Sequence, residues 1–259
     1  MAWNELKIGK STFFPVVRKL AEMKEIVFDK SFLASAEMDM ELYYIFRDVS
    51  RDEKDAKKIK EIGLRYDITI IPPGALGMEF VKTAGHYHPY IRGSALTYPE
   101  MYEVLEGEAH FLLQKREEEE RSGIEEITDV VVVKARKGDV LIIPPNYGHV
   151  TINHTETVLK MANWVARTFC SIYEPIERKG GAAYFELTTG EFVKNERYEA
   201  VPPIRFLQPR DTGIRELELE LELSKGVAIY ELLKVSEKLK FLTKASQAQF
   251  LPPVYLKIA

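Results

Sequence analysis

Cysteine is nearly missing from this chain of 259 residues: Cys170 is its only one. An internal disulfide is excluded, and a reducing, cytoplasmic setting is the expectation. Long apolar runs are missing too, since none nears the roughly 20 residues a helix needs to cross a bilayer. The opening MAWNELKIGK lacks the apolar stretch of a secretory signal, so no leader is expected. Excess positive charge is absent: 36 Lys and Arg against 40 Asp and Glu leave −4, which gives nucleic acid no basic footprint. Neither nucleic acid nor membrane is therefore expected as a partner. Histidine is scarce, at five residues. Where those five fall carries information. What the chain does have is 46% apolar and 29% charged residues, enough for a sizeable core under a soluble surface.

Three of the histidines fall in a pattern. His86 and His88, in Gly85-His86-Tyr87-His88, stand two apart, so on a strand both imidazoles share a face. Glu100 opens Glu100-Met101-Tyr102-Glu103-Val104-Leu105-Glu106-Gly107, a strand running into a turn. The third histidine, His149, closes the stretch from Gly138 through Pro144-Pro145-Asn146-Tyr147-Gly148, with Asn153 beyond it. Three neutral imidazoles and one carboxylate suit a divalent Fe, Mn, Zn, Co or Ni ion and are too rich in nitrogen for Ca or Mg. Four ligands leave one or two positions open on a metal that takes five or six. Glu103 is the alternative carboxylate.

Those residues carry a resemblance. The His-x-His pair, Glu100 separated from Gly107 by six residues, and the Gly138 to Asn153 stretch are similar to the two-part motif of the cupin superfamily. Two departures show: Asn146 stands where Gly is usual, and the interval from His88 to Glu100 is long, so Pro89 to Pro99 must loop out. Asn is the next best residue for a left-handed turn. More narrowly, Val17 to Met23, Pro73 to Phe80, Thr83 to His88, Glu100 to Tyr102, Leu105 to Gly107, Gln114, and Pro144-Pro145 before His149 resemble the cupin-type glucose-6-phosphate isomerases of archaea.

The resemblance implies an all-β fold with minor α, a double-stranded β-barrel or jelly roll. It implies a sugar-phosphate substrate, one divalent transition metal per chain on His86, His88, Glu100 and His149, a homodimer, and Glu100 as the base. Phosphate would be held by Thr83 and Gly85, with Thr69, Tyr43 and Tyr173; Tyr102 is a further substrate contact. Because coordination lowers the basicity of Glu100, a metal-assisted hydride shift stays open beside proton transfer. One departure bears on activity: where the family has a Tyr and then a pocket His-Asp-Tyr segment, this chain has Trp164 to Tyr173, in which only Tyr173 matches and the histidine is absent. Two other chemistries stay open, an Fe(II) oxygenase and a non-catalytic sugar-phosphate binder.

Along the chain, strand signals recur at 41–49, 64–71, 77–82, 101–105, 109–114, 128–134, 139–144 and 158–164, with Gly and Pro between most of them. Residues 13–28 read as a short helix or turn followed by a strand, and the charge cluster Arg51 to Lys60 as a solvated hairpin loop. Lys115 to Glu126 reads as a long exposed hairpin loop. The domain expectation is 1–200 for the barrel with an N-terminal extension and 201–259 for a small βα appendage. Its strand is Arg215 to Leu223, its helix follows Lys225-Gly226, and Leu251 to Leu256 forms an edge segment. His110 reads as structural, the alternative being that it backs the metal ligands from the barrel interior, and His154 reads as structural. Gly180-Gly181 reads as a turn and Cys170 as a buried small hydrophobe.

Overall fold

The computed structural model describes residues 3–118, 125–209 and 228–245. Ten strands form the two main sheets: β1 (Val16–Lys19), β2 (Glu41–Phe46), β3 (Leu64–Ile71), β4 (Glu100–Glu106), β5 (Glu108–Glu118), β6 (Glu125–Arg136), β7 (Val140–Ile143), β8 (Tyr147–Ile152), β9 (Leu159–Ala166) and β10 (Arg205–Leu207). The first sheet has the order β7-β4-β9-β3-β2-β1 and the second β8-β5-β6-β10. All pairings are antiparallel except β6 with β10. Tyr102, Val104, Leu141 and Met161 of one sheet share a buried core with Phe111, Leu113, Val131 and Val133 of the other. Two sheets closed over one core, with consecutive strands crossing between them, make the jelly-roll barrel of the cupins.

Alternation along each strand decides which side chains face that interior. On β3 the even positions Leu64, Tyr66, Ile68 and Ile70 pack outward with Met101, Ala162 and Trp164 of β4 and β9. The outer face is roofed by the helix Glu53–Glu61 and by residues 229–242. Ile229 ties the roof down at both backbone groups, its N–H donating to Glu103 Oε2 at 2.7 Å and its carbonyl accepting from Trp164 Nε1 at 2.8 Å.

The structure departs from the sequence expectations in four places. Arg51 to Lys60 is helical over Glu53–Glu61, not a loop: the Asp52 carboxylate caps it by accepting from Asp55 N, and its charges are the wet face around buried Ile59. Residues 13–28 run in the reverse order, strand β1 first and then two 3-10 turns, Leu20–Glu22 and Lys24–Ile26. The charged 115–126 stretch is strand, not loop, at both described ends: β5 runs to Glu118 and β6 starts at Glu125. Residues 229–242 are wound in 3-10 turns with a break at Val235 (φ −120°, ψ 52°), which leaves that valine half exposed instead of on the apolar face. The expected strand 215–223 and the edge segment 251–256 lie outside the described residues.

Candidate metal centre and substrate cavity

His86 and His149 are brought face to face by the backbone. His86 N–H donates to the His149 carbonyl at 3.2 Å and His149 N–H to the His86 carbonyl at 3.0 Å. Gly85, before His86, has φ +75°, and a Cβ there would meet Val150 Cγ2 at 2.5 Å. Close packing on β8 therefore explains that glycine. Asn146 takes the left-handed turn expected of it, with φ 70°, and its side chain holds the long loop by accepting from Thr97 N at 2.9 Å. The loop returns Tyr98, whose carbonyl lies 2.8 Å from His88 Nδ1. That contact fixes a proton on Nδ1 and leaves the Nε2 lone pair of His88 free for a ligand.

The four candidate ligands converge. His86 and His88 Nε2 are 3.2 Å apart, while Glu100 Oε2 lies 3.3 Å from His88 Nε2 and 3.4 Å from His149 Nε2. All four ligand atoms fall within 4.8 Å of one another. An ion about 2.1 Å from each ligand would set neighbouring ligands roughly 3.0 Å apart and opposite ones roughly 4.2 Å apart. The observed separations fit that frame. Glu100 Oε2 is buried with no hydrogen-bond partner, a costly arrangement for a carboxylate oxygen that a cation would relieve. Its other oxygen, Oε1, accepts from Asn163 Nδ2 at 2.6 Å. This buried His/Glu group could hold a divalent metal.

Charge in the group suits the same role. Burial, helped by the neighbouring imidazoles, holds His86 well below the usual histidine range. Burial also drives His149 down to about 4, against the pull of Glu100. Both are neutral near pH 7 and can offer lone pairs. Burial pushes the Glu100 carboxyl up, but His88 and His149 outweigh it, so it sits below its ordinary value and stays ionised. The Tyr102 phenol, 3.3 Å from His149 Nε2, is pushed up by burial and by the Glu100 charge, and remains a neutral donor.

The group opens into a cavity that communicates with solvent. Thr69, Thr83, Gly85, Tyr43, Tyr102 and Tyr173 all line it. Tyr43 OH accepts from Ala84 N at 3.1 Å, and Thr83 Oγ1 accepts from Thr151 N at 2.9 Å. Each hydroxyl keeps its own proton for a further bond. Tyr173 lies 5.4 Å from the His86 ring, tilted by 45°, and the Arg18 guanidinium sits over the Tyr173 ring at 5.5 Å.

Some expected residues lie elsewhere. His110 is not behind the metal ligands: it sits on an even position of β5, facing out, 2.8 Å from Glu186 and stacked on His154. Glu103 faces away from Glu100 and caps Ile229. Cys170 is exposed, not buried. Asn153 is fully buried and ties the turn after β8 to Ile71 and Thr157. Gly180 and Gly181 form the turn expected of them, both with positive φ. Arg47, Arg65, Asp67, Asn163, Phe169 and Ser171 also line the cavity and were not singled out from the sequence. For Arg65, Asp67 and Thr69 the signal was present, as polar residues alternating with the apolar ones of Leu64–Ile71.

Comparison with known proteins adds what geometry cannot. The profile of the family described as glucose-6-phosphate isomerase (GPI) matches residues 17–203. Glucose-6-phosphate isomerases of Pyrococcus abyssi and Thermococcus litoralis are 30% identical over 139 residues, 53% of this chain and 62% of each relative. That of Pyrococcus furiosus is 28% identical over 138 residues, with the same coverage. The chain thus spans less than two thirds of the length of these relatives. Among solved structures, an oxalate decarboxylase of Bacillus subtilis aligns at TM-score 0.34 and 16% identity, over 54% of this chain and 30% of that one. AerE of Microcystis aeruginosa aligns at TM-score 0.30 and 13% identity, over 61% and 48%. On the profile match across most of its length, the chain belongs to the cupin-type glucose-6-phosphate isomerase family.

Proposed function

We propose that this protein is a metal-dependent aldose–ketose isomerase that interconverts glucose 6-phosphate and fructose 6-phosphate. The observation that carries the reading is the buried His86, His88, Glu100 and His149 group, with Glu100 Oε2 unpartnered, at the floor of a cavity lined by hydroxyls. Those four side chains would hold one divalent transition metal: Fe, Mn or Zn, with Ni and Co also suited to the donor set. When bound, such an ion supplies Lewis-acid stabilisation of the sugar oxygens where charge develops.

The chain's own residues do the rest. Glu100 moves the proton between C2 and C1; the hydrogen bond from Asn163 holds its Oε1 and so fixes the plane of the carboxylate. Tyr102, kept protonated, donates to a sugar oxygen. Thr69, Thr83, Tyr43 and Tyr173 bind the phosphate with their free hydroxyl protons, and the Gly85 backbone borders the same pocket. Phe169 packs on the His88 ring at 4.6 Å and keeps water from the ligand set on that side.

In this reading residues 1–200, together with the strand Arg205–Leu207 that completes the second sheet, carry the barrel and the site, and residues 229–242 roof it from outside. The protein is placed in the cytoplasm, where the exposed thiol of Cys170 would stay reduced. Among the described residues no helix is long and apolar enough to cross a membrane. A homodimer is placed on the β1 edge of the six-stranded sheet, where Phe14 and Val16 are exposed. The test of function is Glu100→Gln, which keeps the shape of the carboxylate and removes its charge. Measured on metal-replete protein by coupling glucose 6-phosphate formation to a dehydrogenase, turnover should fall by roughly 10²- to 10⁴-fold. Turnover at the wild-type rate excludes Glu100 as the base.

A further inference from the structure

The inner face of Leu64–Ile71 carries Arg65, Asp67 and Thr69 into the cavity. Arg47 reaches Asp67 from the neighbouring strand, its NH1 group 3.1 Å from Oδ2. Arg65 Nε donates to the same oxygen at 2.7 Å, and Asp48 N donates to Oδ1 at 3.0 Å. Asp67 is 2% exposed. The carboxylate is thereby fully used as an anchor. Two guanidinium groups on one carboxylate leave a positive charge over. Each guanidinium carries five N–H donors, of which only one meets Asp67. Arg65 is half-buried in the wall and Arg47 stands at the mouth.

Register places this pair along the cavity. Val165 is paired with Arg65 on one side and Glu100 on the other, so the arginine end is also the Glu100 end. Met161, four residues back, stands opposite Thr69. Thr69 and Arg65 are therefore about 13 Å apart on one face of the strand. An open-chain sugar phosphate has eight bonds from phosphorus to O1, which at about 1.2 Å of advance per bond span roughly 10 Å. With phosphate among the hydroxyls near Thr69, the C1–C2 end comes to Glu100 and the arginines. Ser171 also lines this cavity.

We propose that Arg47 and Arg65, aligned on Asp67, form an oxyanion-binding pair for the C1–C2 end of the open-chain sugar phosphate. This rests on the sugar-phosphate reading above and gives the arginines part of its chemistry. As Glu100 removes the C2 proton, the C2–H electrons form the C1–C2 double bond and the carbonyl oxygen O1 takes up negative charge. The proton then passes from Glu100 to C1, O2 becomes the carbonyl, and the O2 proton moves to O1. Both guanidinium groups stay protonated throughout. Preset donors facing a developing oxyanion stabilise it without reorganisation.

The test uses the full metal-loaded chain and two stable probes, 6-phosphogluconate, which has a carboxylate at C1, and sorbitol 6-phosphate, which has an alcohol there. Calorimetric titration of the wild type should show the acid bound more tightly. In Arg65→Met and Arg47→Met that preference should shrink by about tenfold or more, the value of a charge-assisted bond. Sorbitol 6-phosphate affinity and metal content should not change. Arg65→Met combined with Asp67→Asn removes the unpaired buried carboxylate and repeats the measurement where Arg65→Met alone fails to fold. In the kinetics, kcat should fall more than KM rises. An undiminished preference in the folded variants, or none in the wild type, overturns the proposal. Wild-type protein that keeps the arginine-dependent preference yet never converts fructose 6-phosphate leaves the anion pair standing and overturns the isomerase reading.

Discussion

On the strand Leu64–Ile71, Arg65, Asp67 and Thr69 look into the cavity while Leu64, Tyr66, Ile68 and Ile70 look the other way. The next strands repeat the division. Glu100 and Asn163 face in, and Met101 and Trp164 face out. The inner face gives its buried area to polar groups that need partners or a cation, and Glu100 Oε2 there has no hydrogen-bond partner within the protein. The outer face spends its area on packing: Trp164 and Met101 are fully buried beneath Ile229, Tyr230 and Leu233. One sheet thus keeps its chemistry and its stability on opposite sides of a single backbone layer. Mutations on the two sides should separate cleanly.

The largest expected effect is on the inner face. His88→Ala or His149→Ala should lower metal affinity by at least tenfold to a hundredfold, read by metal analysis after dialysis. The barrel should stay folded, because its core does not depend on the ion. Full occupancy in both variants removes the metal assignment. On the outer face, Trp164→Ala should cost about 3–5 kcal/mol of stability, read by denaturant unfolding, with metal content intact. Loss of metal in a folded Trp164→Ala protein would break the separation of the two faces.

A smaller effect comes from protons. In chelated protein His149 sits at about 4, below its ordinary 6.5. Between those values the unfolded chain takes up a proton at this position and the folded chain does not. Stability therefore falls as pH drops through that window and levels off near pH 4. His86 acts in the same direction. Melting temperature against pH, with and without His149→Gln, checks this: the variant should show the shallower slope. The smallest effect belongs to Cys170→Ser, an exposed position expected to stay within about 0.5 kcal/mol of wild type by thermal unfolding.

Legibility in the sequence follows the range of the interactions involved. His86 and His88 could be read because a two-residue spacing on a strand is a local fact. Glu100 was separated from Glu103 by its interval to Gly107, and alternation on Glu100–Glu106 puts the two on opposite faces. The arginine pair was not read because it depends on cross-strand register: Arg47 and Arg65 meet only through Asp67. His110 is structural, as read, but the alternative that it backs the metal ligands fails for a similar reason, since its partner Glu186 is 76 residues away. The helix Glu53–Glu61 was missed although its signal was local. Asp52 caps it, and Ile59 alone supplies its buried face, so charge density hid the period.

The central claim is that the His86, His88, Glu100 and His149 group holds a metal on which sugar-phosphate isomerisation depends. Its most direct test is to follow fructose 6-phosphate conversion before chelation, after removal of the ion, and after a stoichiometric divalent metal is restored. Turnover that disappears with the ion and returns with it, in proportion to occupancy at one ion per chain, is the predicted result. Turnover that is unchanged in verified metal-free protein would contradict the account.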